Sequence, residues 1–163
     1  MQKSTSSQYF KTLSILCYAL TAGVTILAII MAAVRQVVDI DKGIPELVTI
    51  FDVMVPLFAA GGTFGGNIVF KSRLLAAKEL PSLSEKLNGY RAAIILLYAL
   101  LEGPGLFSII AYFLTSDVKL LIVTACIIVL MLYRLPKKEN LIKDLDLSFD
   151  ESNVINDPDG VIE

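Results

Sequence analysis

Histidine and tryptophan are absent from the chain, and cysteine occurs only twice in 163 residues. Without His, imidazole general-base catalysis and imidazole metal ligation are both excluded. Cys17 and Cys126 each lie inside an apolar run and read as small packing residues rather than a disulfide or metal pair. Charge is also scarce. There are 14 Lys and Arg against 16 Asp and Glu, a net charge of −2, while 55% of the residues are apolar. A mean hydropathy of +0.70 is too high for an ordinary soluble domain and points to an integral membrane protein. No interleaving of basic and aromatic residues suggests a nucleic-acid partner. Ser108 and Thr115 have no base beside them, so no catalytic residue is identified. The chain reads as non-enzymatic, with no metal site.

What the sequence does have is apolar runs. Leu13–Val34 is about the ~20 residues that a membrane helix needs, and it is too long for the core of a cleaved signal peptide. A polar link, Arg35–Glu46, follows, with Pro45 placed for the first turn of the next helix. The second run is Leu47–Phe70. It contains Asp52, Pro56 and the patch GGTFGG at 61–66. Gly61/Gly65 and Gly62/Gly66 are two overlapping GxxxG spacings, which let a neighbouring helix approach closely in a membrane. No Lys-Ser/Thr follows the second glycine, so the patch is not a phosphate loop. Asp52 lies near the end of its run and reads as an interfacial acid. Thr63 and Asn67 read as interhelical hydrogen-bonding groups.

Residues 71–91 are charged and contain Pro81; they read as a polar loop with at most short amphipathic turns. The third run, Ala92–Leu114, is followed by a short link and by Leu120–Tyr133, which reaches a spanning length only as about 118–135. Residues 136–163 begin basic and end acidic. They read as a tail with one amphipathic turn near 141–147 and otherwise disordered. Basic residues concentrate in the N-terminus, in 71–91 and in the C-terminal flank, which places both termini and the central loop in the cytoplasm. Four spans satisfy that count. The expected fold is therefore all-α. A cytoplasmic N-terminus, 1–12, precedes a four-helix transmembrane domain, 13–135, with spans at about 13–34, 47–70, 92–114 and 118–135, and a cytoplasmic acidic tail follows at 136–163. The expected location is the inner (plasma) membrane.

Glu102 stands near the middle of the third run, eleven residues after Arg91, or about 16 Å along a helix. That is close to the centre of a ~30 Å hydrocarbon layer. An ionised carboxylate there costs on the order of 3 kcal/mol or more. It must be protonated, paired or bound to a cation, and burial favours the neutral acid. Pro104 leaves the Leu100 carbonyl without its usual donor, and Tyr98 and Ser108 supply hydroxyls nearby. Glu102, Tyr98, Leu100 and Ser108 form the candidate ion-binding set, for a proton or for Na⁺. Two readings of Glu102 follow from the residues: an ion-carrying carboxylate, or interhelical glue.

The glycine patch GGTFGG, the polar segment PSLSEKL at 81–87 with Tyr90, and ALLEGPGLF at 99–107 together resemble the c subunit (proteolipid) of rotary ATP synthases. The likeness covers about residues 58–114, the rest being extra helices and tail. It implies a c-like hairpin with a cytoplasmic loop, Glu102 as the ion-carrying group, and Gly61, Gly62, Gly65 and Gly66 packing against identical helices in a homo-oligomer. The expected function is proton or Na⁺ binding or translocation, with no cofactor beyond that ion and with the lipid bilayer as environment. The alternative is a non-catalytic subunit or scaffold of a membrane complex, with Glu102 as glue and the tail docking a partner subunit.

Overall fold

The computed structural model describes residues 5–38 and 45–162. Residues 1–4, residues 39–44 of the polar link and residue 163 lie outside that range. Among the described residues six helices follow one another: α1 (Ser6–Val37), α2 (Pro45–Lys78), α3 (Leu83–Thr115), α4 (Val118–Tyr133), α5 (Lys138–Leu145) and α6 (Phe149–Asn156). The protein is all-α, as the apolar runs imply. Three helices, α1, α2 and α3, are long and apolar enough to cross a membrane. At 16 residues, α4 is about 24 Å long, short of the hydrocarbon thickness. It brings the count to four only if it forms one broken span with α5, and the two are bent by 79°. The helix stops at Arg134, just before Pro136 and the pair Lys137 and Lys138, so the expected span 118–135 does not gain length at that end.

The helices extend past the apolar runs. Residues 71–91 are not a loop, as their charge suggested. They are the last turns of α2 and the first turns of α3, joined by residues 79–82. Leu74 and Ala77, then Leu87 and Tyr90, recur at three-residue spacing and are buried, which keeps both segments helical. Pro81 sits in the link, where its missing N–H does no harm. Pro45 opens α2, the position where a ring-locked φ suits a helix start.

The contacts divide into two compact units. The first comprises residues 1–17, 67–97 and 135–163. Here the tail departs from the disorder expected of its composition. Helix α5 buries Leu141 and Leu145, α6 buries Ile155, and Ile162 is buried beyond it. Asp146 ends α5 in the left-handed conformation. Ser148 and Glu151 then form a reciprocal capping box that starts α6, satisfying two otherwise orphaned donors. The tail is tied to the start of α1. The Ser6 hydroxyl donates to the Ile155 carbonyl (2.6 Å), the Ser6 and Ser7 amides donate to Gly160 and Pro158, and Thr5 bridges Val161. The Tyr9 hydroxyl donates to the Leu87 carbonyl (2.7 Å), and Lys86 pairs with Glu151 at 2.8 Å.

The second unit comprises residues 18–66 and 98–134. Val55, Ala111, Tyr112 and Leu120 form its buried cluster, with Phe51 and Phe107 packed against it. Phe107 meets both Phe51 and Phe58 edge to face, an arrangement that aromatic quadrupoles favour.

Candidate functional site

The site lies in the second unit, around the glycines of α2 and the Glu102 turn of α3. At Gly62, α2 approaches α3 closely. A methyl group there would stand 2.6 Å from the Leu100 carbonyl oxygen and 2.6 Å from Pro104 Cγ. The carbonyl that Pro104 leaves without its helical donor is therefore covered by Gly62. On the other side of α3, Gly105 faces Val24 and Ile127, with a methyl group's distance to each of 3.3 and 3.5 Å. Gly61 and Gly65 differ, because nothing lies within 4 Å of where their methyl groups would be. The glycine patch thus has a closed side used within the chain and an open side.

An apolar groove of about 380 Å³ runs beside this contact, lined among others by Met54, Phe58, Gly62, Ala99, Gly103 and Pro104. Glu102 is flanked by two of those lining positions, three residues after Ala99 and one before Gly103. Its side chain is half-buried. Among the described residues no hydrogen bond or ion pair is made by Glu102.

The other members of the expected ion-binding set are not gathered on the carboxylate. The Tyr98 hydroxyl is buried and donates to the Met131 carbonyl at 2.6 Å. The buried Ser108 hydroxyl donates to the Leu120 carbonyl at 2.5 Å. Both therefore tie α3 to α4. At about 100° per residue, Ser108 is some 120° around the helix from Glu102, so it belongs to a different face. Leu100 turns its carbonyl toward α2 at Gly62. Asp52 is exposed, consistent with an acid outside the packed interior. Cys17 is buried and Cys126 exposed, both as free thiols.

Sequence reasoning did not single out Met131 or Leu120, whose carbonyls receive the two hydroxyls. Neither side chain carries a signal of that role, because the acceptors are backbone atoms. Comparisons with protein-family models, with curated proteins and with solved structures gave no match. The functional reading therefore rests on the chemistry of the site.

Proposed function

We propose that this protein is a non-enzymatic, multi-pass membrane protein that carries a proton on Glu102 and works as a homo-oligomer. One observation carries the reading: the lone carboxylate of the apolar run 92–114 in α3 is half-buried and makes no hydrogen bond or ion pair among the described residues. A carboxylate acting as glue would be expected to bind a neighbouring helix of the same chain. In α3 that work falls to Tyr98 and Ser108 instead. In a bilayer interior an unpaired ionised carboxylate is costly, so in this reading Glu102 carries a proton there. It gives up its proton when water or a cationic partner reaches it.

The proton is favoured over Na⁺. A sodium ion needs several oxygens converging on the carboxylate, and the hydroxyls of Tyr98 and Ser108 are committed to backbone carbonyls. The open side at Gly61 and Gly65 supports a homo-oligomer, since it allows a second α2 to approach at backbone distance. This is the arrangement that the c-subunit likeness implies. Cytoplasmic termini and residence in the plasma membrane complete the proposal, from the distribution of Lys and Arg. For the scaffold alternative, the tail leaves Phe149 and Val161 exposed for a partner, while Leu141, Leu145, Ile155 and Ile162 are buried within the first unit.

Reconstitution into liposomes with an imposed pH gradient tests the function. The wild-type protein should dissipate the gradient, and Glu102→Gln should not, with helix content unchanged. Equal dissipation by both would remove Glu102 from proton movement. Loss of assembly in Glu102→Gln would return the residue to a packing role.

A further inference from the structure

The first unit contains a groove of its own, of about 280 Å³. Lys71 and Lys78 from α2 and Lys143 from α5 line it together with Leu74, Leu75 and Asp144. Among the described residues, none of the three lysines is in an ion pair. Two separate helices thus bring three ammonium groups to one concave site against the single carboxylate of Asp144, an excess of positive charge that an anion would balance.

The position of the groove along α2 indicates which anion. Lys71 is the first charged residue after the apolar run ending at Phe70, so it marks the edge of the hydrocarbon layer. Lys78 lies seven residues further, about 10 Å along the helix. At about 100° per residue, Ile68, Lys71, Leu75 and Lys78 fall within roughly 80° of one another on one face. Ile68 and Leu75 are 69% and 64% exposed. Ile68 therefore offers exposed apolar surface on the membrane side of Lys71, and Leu75 lies between the two lysines, so a phospholipid entering from the membrane side meets apolar surface first and cations next. Leu74 is buried and forms an apolar wall.

We propose that this groove binds the phosphate of an anionic phospholipid headgroup, with Lys71, Lys78 and Lys143 as its donors and the acyl chains lying along Ile68, on the membrane side of Lys71. Such a lipid would bridge the membrane helix α2 to the tail helix α5. The proposal rests on the membrane reading of the chain and not on the role of Glu102. A lysine near an anionic headgroup contributes about fivefold in affinity, so removing two should cost roughly 25-fold.

Native mass spectrometry of the full chain in detergent tests this, with phosphatidylglycerol, phosphatidylcholine and inorganic phosphate titrated separately. The wild-type protein should retain phosphatidylglycerol at least about tenfold better than phosphatidylcholine, a preference that two of the three lysines would supply. The double variant Lys71→Gln/Lys143→Gln should lose roughly 25-fold in phosphatidylglycerol binding, while Lys11→Gln/Lys137→Gln, outside the groove, should not. Lys71→Arg/Lys143→Arg, which keeps both charges, should retain binding. Equal retention of the two lipids by the wild type overturns the proposal without recourse to any variant. So does an equal loss in both Gln pairs, which would indicate general charge. Competition by inorganic phosphate at the same concentration as the lipid would make the groove a free-phosphate site and not a lipid site.

Discussion

Substitution of Gly62 by alanine separates the closed side of the glycine patch from its open side. The added methyl group would sit 2.6 Å from a backbone oxygen, Leu100 O, and 2.6 Å from a ring carbon of Pro104. Neither atom can swing aside as the end of a flexible side chain would. Ordinary contact begins near 3.5 Å, so the two helices must separate by the better part of an ångström. Overpacking of this kind costs about 1–3 kcal/mol. Helix propensity works the other way, since Gly→Ala favours a helix by up to about 1 kcal/mol. The net expectation for Gly62→Ala is a loss of about 1–2 kcal/mol. Gly61→Ala and Gly65→Ala meet nothing within 4 Å, so they should be neutral or gain up to about 1 kcal/mol in the monomer. The assay is unfolding in mixed micelles titrated with sodium dodecyl sulfate, followed by far-ultraviolet circular dichroism. If Gly62→Ala unfolds at the same denaturant fraction as Gly61→Ala, the close approach of α2 to α3 at Gly62 is refuted. Gly61→Ala and Gly65→Ala also bear on assembly. If they leave the oligomer intact, the open side is not where a second copy packs.

Ser108→Ala should cost about 0.6–1 kcal/mol in the same micelle assay, by leaving the Leu120 carbonyl without its side-chain donor; an unchanged midpoint would show that the hydroxyl contributes nothing. In the first unit, Ser148→Ala should weaken α6 by about 1 kcal/mol through loss of its cap, read as faster proteolysis after α5. Glu151→Gln keeps a capping-box side chain but removes the charge that faces Lys86. The hydrogen bond from Lys86 holds the Glu151 carboxyl below the usual carboxylate range, assisted by Ser148 and opposed by partial burial. A carboxyl lowered by folding stabilises fully above its unfolded value and loses that contribution as pH falls through the folded one. Tail protection in the wild type should therefore be constant near neutrality and decline below about pH 4, and Glu151→Gln should flatten that decline. A wild-type profile with no acid limb would refute the Lys86–Glu151 contribution.

Much of the helical architecture was legible from apolar runs alone, because a spanning helix announces itself by length and composition. Pro45 marked the start of α2 and lies in its first turn. Charge does not end a helix: at 71–91 the period of Leu74, Ala77, Leu87 and Tyr90 outlasts the apolar composition, and those residues are buried. The tail carried its own signals, Leu141 and Leu145 four residues apart and Ser148 three before Glu151. What its composition could not reveal was the partner, the first turn of α1 with Ser6 and Ser7, which lies some 150 residues away in sequence. Glu102 was legible as the lone acid of its run. The roles of Tyr98 and Ser108 were not, since they depend on which backbone carbonyl of α4 lies beside each hydroxyl. Nor could spacing distinguish Gly62, closed against Pro104, from Gly61, which is open.

We propose that Glu102 carries an exchangeable proton within the membrane. Labelling with dicyclohexylcarbodiimide near neutral pH tests it most directly, because this apolar reagent modifies carboxyls that are protonated and reachable from lipid. Mass spectrometry of the membrane-embedded protein should place the adduct on Glu102, ahead of Asp52, and added Na⁺ should give no protection. Absence of the adduct on Glu102 would contradict the account, since the carboxyl would then be ionised or sealed between helices. Protection by Na⁺ would contradict the assignment of the proton as its ion.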